Sequence, residues 1–345
     1  MSPSLTPAGQ YRSRMRLRAI VLLLLAALLL ASFLADLAIG PGDYPWHVVW
    51  DVLWHGDAAN PAREVAIRDY RLPIAAMAVL IGAMLATAGA QMQTLLDNPL
   101  AEPFTLGIAA AASFGAAVAI VANNPLGLPL YVTTSVMAFL FALLTCVCIL
   151  VLSQMRGLGQ QSIVLFGIAV YFIFNALLAL MQYNADQNQL QQIVFWMMGS
   201  LTRADMPKIA IAAVALVVAL VVSLRLSWQL TALRLGEDSA RTMGIPVRRL
   251  QVIMLVLISL LAGLSVAFVG AVGFVGLVGP HIARLLLGED QRFFIPLAAL
   301  IGALMMSVTS IVSKTITPGI LYPIGMITAL IGVPVFISII FTRRK

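Results

Sequence analysis

The chain has 345 residues, of which 61% are hydrophobic and only 10% are charged. Soluble domains carry about 25% charged residues, so this composition excludes a soluble globular protein and indicates a polytopic α-helical membrane protein. The formal net charge of +7 does not point to nucleic acid, because basic residues in membrane proteins mark the cytoplasmic side.

Ten apolar segments in chain order predict about ten membrane-spanning helices. A basic tail, residues 1–18, precedes the first of them. A cleaved signal peptide is the alternative for that first segment, but its apolar run is longer than a usual signal core. The expected spans are 19–39, 72–94, 103–122, 130–153, 162–182, 207–226, 249–273, 275–288, 293–313 and 323–341.

An even number of spans places both termini on one side of the membrane. The connections that then share this side carry most of the Lys and Arg residues, which predicts cytoplasmic termini. The segment 275–288 is too short for a full crossing and contains Pro280. It is therefore expected to be a broken helix whose backbone faces protein or water rather than lipid.

A glycine frame repeats at a separation of 181 residues and predicts an internal duplication. The two copies begin on the second and seventh spans, so they are expected to run in opposite senses, as in transporters with inverted repeats. Close helix packing by small residues would give a similar pattern. The frame pairs Gly82, Ala86, Gly89, Ala90, Pro99 and Gly107 with Gly263, Ala267, Gly270, Ala271, Pro280 and Gly288.

A polar segment, 235–246, interrupts the apolar chain between the sixth and seventh spans. It reads as a short helix ended by Gly244 and Pro246. With cytoplasmic termini this segment lies in the cytoplasm, where it would be available to a soluble partner. Residues 19–345, which include this segment, are expected to form a single transmembrane domain.

The two loops that flank the third and fourth spans carry no nucleotide-binding signature. The loop 157–162 has two glycines but lacks the ending of a phosphate-binding loop. The loop 97–103 is a turn by its residue types. The histidines are far apart and the two cysteines, Cys146 and Cys148, read as packing residues, so no metal site is predicted.

Few polar side chains lie inside the expected spans. Asp36 is nearly the only acid among them, which argues against coupling to protons or sodium, because such transporters need buried carboxylates or broken helices around an ion. Gln91, Asn175 and Gln182 could line a polar path or tie helices together by hydrogen bonds. Neither interpretation is favoured by sequence alone.

Four ordered motifs resemble one family, the FecCD-type permeases of ATP-driven importers for iron siderophores, haem and vitamin B12. The likeness covers the chain from about residue 70 to its end. The motifs are Arg71-Leu72-Pro73 with Asn98-Pro99-Leu100-Ala101-Glu102-Pro103, the segment 235–244, the run 273–286, and Pro323-Ile324-Gly325 with 328–336.

This resemblance implies a type II importer permease fold, paired with an identical or paralogous permease in a bacterial inner membrane. Two cytoplasmic ATPases and a periplasmic binding protein complete the implied assembly. The chain itself would bind no cofactor, because ATP and Mg²⁺ belong to the partner ATPase. The implied ATPase-coupling residues are Glu237, Ser239, Ala240, Arg241 and Gly244.

The resemblance also assigns gates and a docking face. The cytoplasmic gate residues would be Asn98, Leu100, Gln160 and Gln161, although the two glutamines replace small hydroxyl residues of the B12 permease. The basic residues that dock the binding protein would be Arg68, Arg71 and Lys314. In the second arginine position of the family this chain has Ile74, and Arg68, one helical turn before Arg71, could replace it.

The expected cargo is a ferric siderophore, with haem or cobalamin as the alternatives. Tyr322 occupies a position before the last span where many members have an acid, which favours a siderophore-type member, although a place in an interfacial belt explains the residue as well. An ion-coupled transporter is the alternative of another class. An intramembrane enzyme is not indicated, because no catalytic acid pair, Ser/His pair or metal cluster is visible within the spans. A purely structural membrane scaffold is a further alternative, and it would show no cargo-dependent activity.

Overall fold

The computed structural model describes residues 7–40, 42, 44–153, 155, 160–317 and 319–342. Within them the chain is helical, with no strand. A π-helical segment, Val65–Arg71, runs directly into the fourth helix, and two 3₁₀ turns occupy Pro103–Leu106 and Leu201–Arg203. The α-helices are α1 Pro7–Ala38, α2 Trp46–His55, α3 Pro61–Glu64, α4 Leu72–Leu95, α5 Ile108–Val121, α6 Leu130–Ser153, α7 Gln160–Asn184, α8 Gln187–Met197, α9 Met206–Arg225, α10 Ser227–Leu233, α11 Glu237–Thr242, α12 Val247–Val269, α13 Val275–Leu287, α14 Gln291–Thr315 and α15 Ile324–Thr342.

The all-helical membrane fold is confirmed. Seven helical stretches in the described chain are long and apolar enough to cross a membrane, and α5, α13 and α15 are shorter apolar helices. Together they occupy the ten expected positions. The prediction for 275–288 also holds, since α13 has 13 residues and contains Pro280. At 1.5 Å per residue it is about 20 Å long, less than the roughly 30 Å of a bilayer core.

Four helices and one boundary differ from expectation. The helices α2, α3, α8 and α10 were not predicted, because they are short and their sequences mix apolar and polar residues. The expected boundary at residue 18 is not a break in structure, since α1 begins at Pro7. Most of the basic tail is therefore the first turns of α1 rather than a separate segment.

Ion pairs fix the relative direction of α1 and α14. Near the start of both helices, Arg18 pairs with Asp290 at 3.0 Å. Near their ends, Asp36 pairs with Lys314 at 2.7 Å. The two helices therefore run parallel, and they share the same two ends of the bundle.

The fourth helix runs the other way and defines two faces of the protein. Arg71, directly before α4, donates to the carbonyl of Leu37 at the end of α1. Asp97, directly after α4, forms an ion pair with Arg234 between α10 and α11. We call the end of the bundle that contains α10 and α11 the α10–α11 face, and the other end the opposite face.

The expected inverted arrangement is present in helix direction. Gln251, in the second turn of α12, donates to Glu237 of α11 at 2.8 Å. The other end of α12 meets the segment before α9, where Ser200 N donates to the carbonyl of Val269 at 2.7 Å. Because α9 ends directly before α10, that segment lies at the opposite face, and α12 is antiparallel to α4.

The glycine frame matches this arrangement only in part. Gly82 and Gly263 both lie inside long helices, α4 and α12. Further along, Pro99 follows α4 in a loop, whereas Pro280 lies inside α13. The duplication is therefore visible in the opposite directions of α4 and α12. The matching residue positions do not continue beyond these two helices.

The interior is built around α4. In the most apolar 18 residues of each spanning stretch, 78% are buried for Pro61–Leu95, which contains α4, and for α12. The corresponding share is 22% for α7 and 11% for α1. Several contacts are made backbone to backbone at glycines. A methyl group placed on Gly89 would lie 1.8 Å from the carbonyl oxygen of Gly276 in α13, and one on Gly82 would lie 2.2 Å from that of Gly302 in α14.

Candidate functional site

The predicted polar helix between the sixth and seventh spans is present as α11. Two glycines bound it. Gly236 has φ +102° before the first residue, and Gly244 has φ +79° after the last turn, a left-handed region that favours glycine. A methyl group placed on either glycine would meet no atom of the described residues within 4 Å. These two positions therefore fix where the helix begins and ends by backbone conformation rather than by packing.

The expected coupling residues occupy different sides of α11. Glu237 is held in place, since it accepts from Gln251 of α12 at 2.8 Å and pairs with Arg241 at 3.1 Å. Ala240 is fully buried. Ser239 uses its carbonyl to accept from Thr242 Oγ1 at 2.8 Å. The side chain of Arg241 is 62% exposed, so of this set it is the one most open to a partner.

A second feature of this face was not predicted. A groove of about 650 Å³ lies between α10, α11 and the start of α14. Three large apolar side chains line it while remaining exposed, namely Trp228, Leu235 and Met243. They are spread over two short helices and their link, and only the fold brings them together. An exposed apolar surface at the end of a membrane bundle, rimmed by charge, is typical of a protein interaction site.

Charged side chains connect this groove to the helices beneath it. Arg234, whose side chain is only 16% exposed, pairs through Nη1 with Asp97 and through Nη2 with Glu289 at 2.5 Å. Glu289 also pairs with Arg284 Nε of α13 at 3.0 Å. Arg284 Nη2 donates to Gln93 Oε1 of α4 at 3.0 Å. These five residues form a chain of polar contacts that starts at Asp97, directly after α4, and returns to α4 at Gln93. The backbone of α4 closes it, and we call it the Arg234 ring.

The neighbouring acid extends the network to α1. Asp290 caps α14 by accepting from the backbone N–H of Arg292 at 3.2 Å. Its carboxylate pairs with Arg292 at 2.8 Å and with Arg18 at 3.0 Å. The hydrogen bonds from Arg292 are the main reason that the pKa of Asp290 lies below its usual range. The carboxylate is therefore ionised at neutral pH, as both pairs require.

The predicted gate loop begins within this network. Asp97 adopts a left-handed conformation, with φ 43°, and Asn98 follows it. The Asn98 side chain accepts from Leu100 N at 3.0 Å, which makes a tight turn that leaves the side chain of Leu100 exposed. The other gate residues are Gln160 and Gln161. The helix α7 begins at Gln160, but their side chains lie outside the described residues.

Two of the three predicted docking residues need correction. Arg71 does not point outward, since it is buried, donates to the carbonyls of Leu37, Ala38 and Gly42, and stacks over Tyr44. Lys314 is also buried and pairs with Asp36. Both side chains are held by groups of the same chain, so they tie elements of the bundle together at the opposite face.

The third docking residue is available at that face. Arg68 has a side chain that is 36% exposed and pairs with Glu64 at 2.8 Å. It also donates to the carbonyl of Leu53 at the end of α2 at 2.9 Å. A docking role for Arg68 stays a prediction.

The three predicted path residues do not gather in one place. Gln91 is fully buried and donates to Ser223 of α9 at 2.6 Å, so it ties α4 to α9. Asn175 donates to a carbonyl one turn earlier in α7. Gln182 contacts the sulfur of Met197 in α8 at 3.5 Å. For Gln91 the structure favours the helix-tying interpretation.

One buried acid was missed. Glu102, directly before the 3₁₀ turn, is 5% exposed and accepts from the backbone N–H of Phe274. A methyl group on Gly276 would lie 3.5 Å from its carboxylate. The contact joins the predicted gate loop to the start of α13. Only its place between two prolines and turn residues marked it in the sequence, which did not indicate burial.

The match to known proteins covers nearly the whole chain. Residues 28–342 match the FecCD transport family. The chain belongs to the FecCD transport family. It is 31% identical to the hemin transport system permease of Yersinia pestis, over 85% of this chain and 88% of that protein. It is 35% identical to the vitamin B12 import permease of Vibrio cholerae, over 81% and 84% of the two chains.

A solved structure extends the comparison to the FecCD fold. An inward-facing structure assigned to the metal-chelate type of ABC transporter has a TM-score of 0.81 and 28% identity, and the match covers 94% of this chain and 99% of that chain. The resemblance predicted from sequence motifs is therefore confirmed. This FecCD protein is a multi-pass permease subunit of an ABC importer, of the group whose members import iron chelates, haem, vitamin B12 or molybdate.

Proposed function

We propose that this permease carries a ferric siderophore from the periplasm to the cytoplasm by alternating access. Partner ATPases drive the change, and haem or cobalamin is the alternative cargo. The exposed apolar groove of Trp228, Leu235 and Met243 at the α10–α11 face carries the proposal, because it offers a soluble ATPase a contact surface. The chain supplies the path, and ATP with Mg²⁺ stays on the partner.

The same surface supports a proposed orientation in the membrane. The α10–α11 face also carries the start of α1, through Arg18, and the end of α15, which begins beside Gly199 at the opposite face. An ATPase bound there places both termini in the cytoplasm. This agrees with the excess of basic residues in the connections on that side, and it makes the bacterial inner membrane the proposed location.

A second permease subunit, identical or paralogous, is part of this proposal. The helix α7 is largely exposed and carries Leu165, Phe172 and Ile173 on its surface. In this family the cargo path is expected at the interface between two permeases. The exposed apolar surface of α7 supports its placement at that interface, with the remaining outward helices in lipid.

Coupling to an ion gradient finds little support in the bundle. Asp36, the acid inside α1, is fully buried and paired with Lys314, and it also accepts from Ser310 at 3.0 Å. A carboxylate that is neutralised within the chain is poorly placed to bind and release a cation during transport. The energy is therefore proposed to come from ATP.

The test is ATPase activity of the reconstituted complex. The permease is co-expressed with its ATPase, placed in liposomes and given binding protein loaded with ferric siderophore, haem or cobalamin. Stimulation by the siderophore-loaded form alone supports the full proposal, and stimulation by another form corrects the cargo. Uptake that persists without ATP and stops when the ion gradient is collapsed contradicts the proposed energy source.

A further inference from the structure

The Arg234 ring joins the link between α10 and α11 to two other parts of the protein. Those parts are the end of α4, through Gln93 and Asp97, and the α13–α14 turn, through Arg284 and Glu289. Each of the three parts contributes a charged side chain. The ring thus connects the proposed ATPase surface to the predicted gate loop by direct contacts.

The geometry of Arg234 suits a rigid connection. Its two terminal nitrogens each bind a different acid from a different loop, and a planar guanidinium fixes the angle between them. The side chain is mostly enclosed, at 16% exposure. The two acids are more exposed, Asp97 at 64% and Glu289 at 43%, so water screens these bonds in part, and the fixed geometry of the guanidinium matters more than the strength of either bond. Leu235, the adjacent residue, lies in the groove itself.

The helices under the ring are packed too closely to move toward each other. The backbones of α4 and α13 touch at Gly89 and Gly276, so neither helix can move toward the other there. Glu102 adds a second connection from the gate loop to the start of α13. A displacement of the ring is therefore passed to α4 and α13 together, and not absorbed between them.

From these contacts we infer that Arg234 is a positioning residue that transmits movement of the α10–α11 link to the gate loop at the end of α4. The inference rests on the proposed function, since it assumes an ATPase at the α10–α11 face. Arg234 acts through Asp97 and Glu289 and does not itself touch cargo. All contacts of the ring are made within this chain, so it acts as a strut that moves as a unit.

The experiment measures cargo transported per ATP hydrolysed in the reconstituted complex. Arg234→Gln removes both ion pairs, and Asp97→Asn removes one. The expected result is a fall in cargo per ATP by about two- to thirty-fold in Arg234→Gln, the range in which single residues alter coupling. Arg234→Lys keeps the positive charge but not the planar guanidinium that binds two acids at once, and it is expected to recover part of that loss.

Two controls separate transmission from folding and from docking. Arg225→Gln removes the same charge from an exposed residue at the end of α9, on the same face, and should leave cargo per ATP unchanged. ATPase affinity and thermal stability are measured for every variant. Because Arg234 also lines the groove, cargo per ATP is compared at saturating ATPase, where Arg234→Gln is expected to lose coupling although the ATPase is bound, which a docking defect would not produce.

The double variant Arg234→Gln/Asp97→Asn tests whether the two residues act through each other. If they do, the double variant is no worse than Arg234→Gln alone. Unchanged cargo per ATP in Arg234→Gln, with normal ATPase binding, would overturn the inference and leave the proposed function standing. Absence of ATPase binding to the wild-type permease would instead remove the proposed function.

Discussion

The backbone contact between α4 and α13 can be tested by a single methyl group. In Gly89→Ala the added carbon would lie 1.8 Å from the carbonyl oxygen of Gly276, whereas ordinary contact begins near 3.4 Å. The helices must therefore separate by about 1.6 Å, and the obstructing atom is backbone, which cannot rotate away. Overpacking of a filled interior typically costs about 1–3 kcal/mol, and this displacement places the variant at the upper end.

The chain offers a matched control in α12. Gly263 is also inside a long helix, but a methyl group there would meet only side-chain carbons, of Phe139 at 3.4 Å and of Ala142 at 3.7 Å. Gly263→Ala should gain about 0.5–1 kcal/mol, because alanine loses less backbone entropy in a helix than glycine does. Allowing a similar gain in Gly89→Ala, the two variants should differ by roughly 2–3 kcal/mol in the free energy of unfolding.

The assay is unfolding of both purified variants in the same detergent or bilayer, by heat and by denaturant. Gly89→Ala should unfold first and Gly263→Ala last, with the wild type between them. The comparison of two alanines cancels the effect of helix propensity and leaves the steric difference. If the two variants unfold together, the close approach of α4 and α13 is not a feature of the folded protein. The inference that Arg234 transmits movement then loses the rigid helix contact on which it depends.

Three further outcomes follow from the charged and apolar groups at the two faces. Lys314→Met should destabilise the fold by about 3–5 kcal/mol, because it leaves Asp36 buried and unpaired, and thermal unfolding should show recovery when Asp36→Leu is added. Trp228→Asp should weaken ATPase binding by about thirty-fold, as the loss of roughly 2 kcal/mol at an interface anchor would, and Trp50→Asp on exposed α2 should not. The pKa of Asp290 is lowered in the folded protein. The stability that its ion pairs contribute is therefore constant above the pKa of the unfolded chain, about 3.9, and is lost as the pH falls through the folded pKa. Thermal midpoints measured from pH 8 to pH 5 should accordingly show no transition from this group.

Local sequence signals predicted the elements whose causes are local. The helix α11 was predictable because Gly236, Gly244 and Pro246 each act on the backbone within one turn. The short α13 was predictable because its apolar run is brief and contains Pro280. The same reasoning missed α10, whose alternation of apolar and polar residues resembles the end of a span. Its role appears only when it packs beside α11 and α14.

The side-chain roles depended on distant partners and were less predictable. Lys314 reads as an outward cation after a span, but Asp36, its partner, is 278 residues earlier. Arg71 reads as a surface arginine, and the carbonyls it binds come from the end of α1 and the link that follows. No local pattern contains such pairings. The sequence indicated that polar groups inside the bundle are few, and the fold shows the distant partners of Lys314 and Arg71.

The distribution of close contacts limits how this permease can open. Backbone contacts at Gly82 with Gly302 and at Gly89 with Gly276 hold α4, α13 and α14 as one body. Helices in such contact cannot slide past one another without steric clashes between their backbones, so a conformational change has to move this body as a whole. Its ends are then the places where movement can be imposed or released. The Arg234 ring lies at one end and the buried pair of Asp36 with Lys314 lies at the other. An ATPase that moved the α10–α11 link would therefore act on this body through the contacts of Arg234 with Asp97 and Glu289.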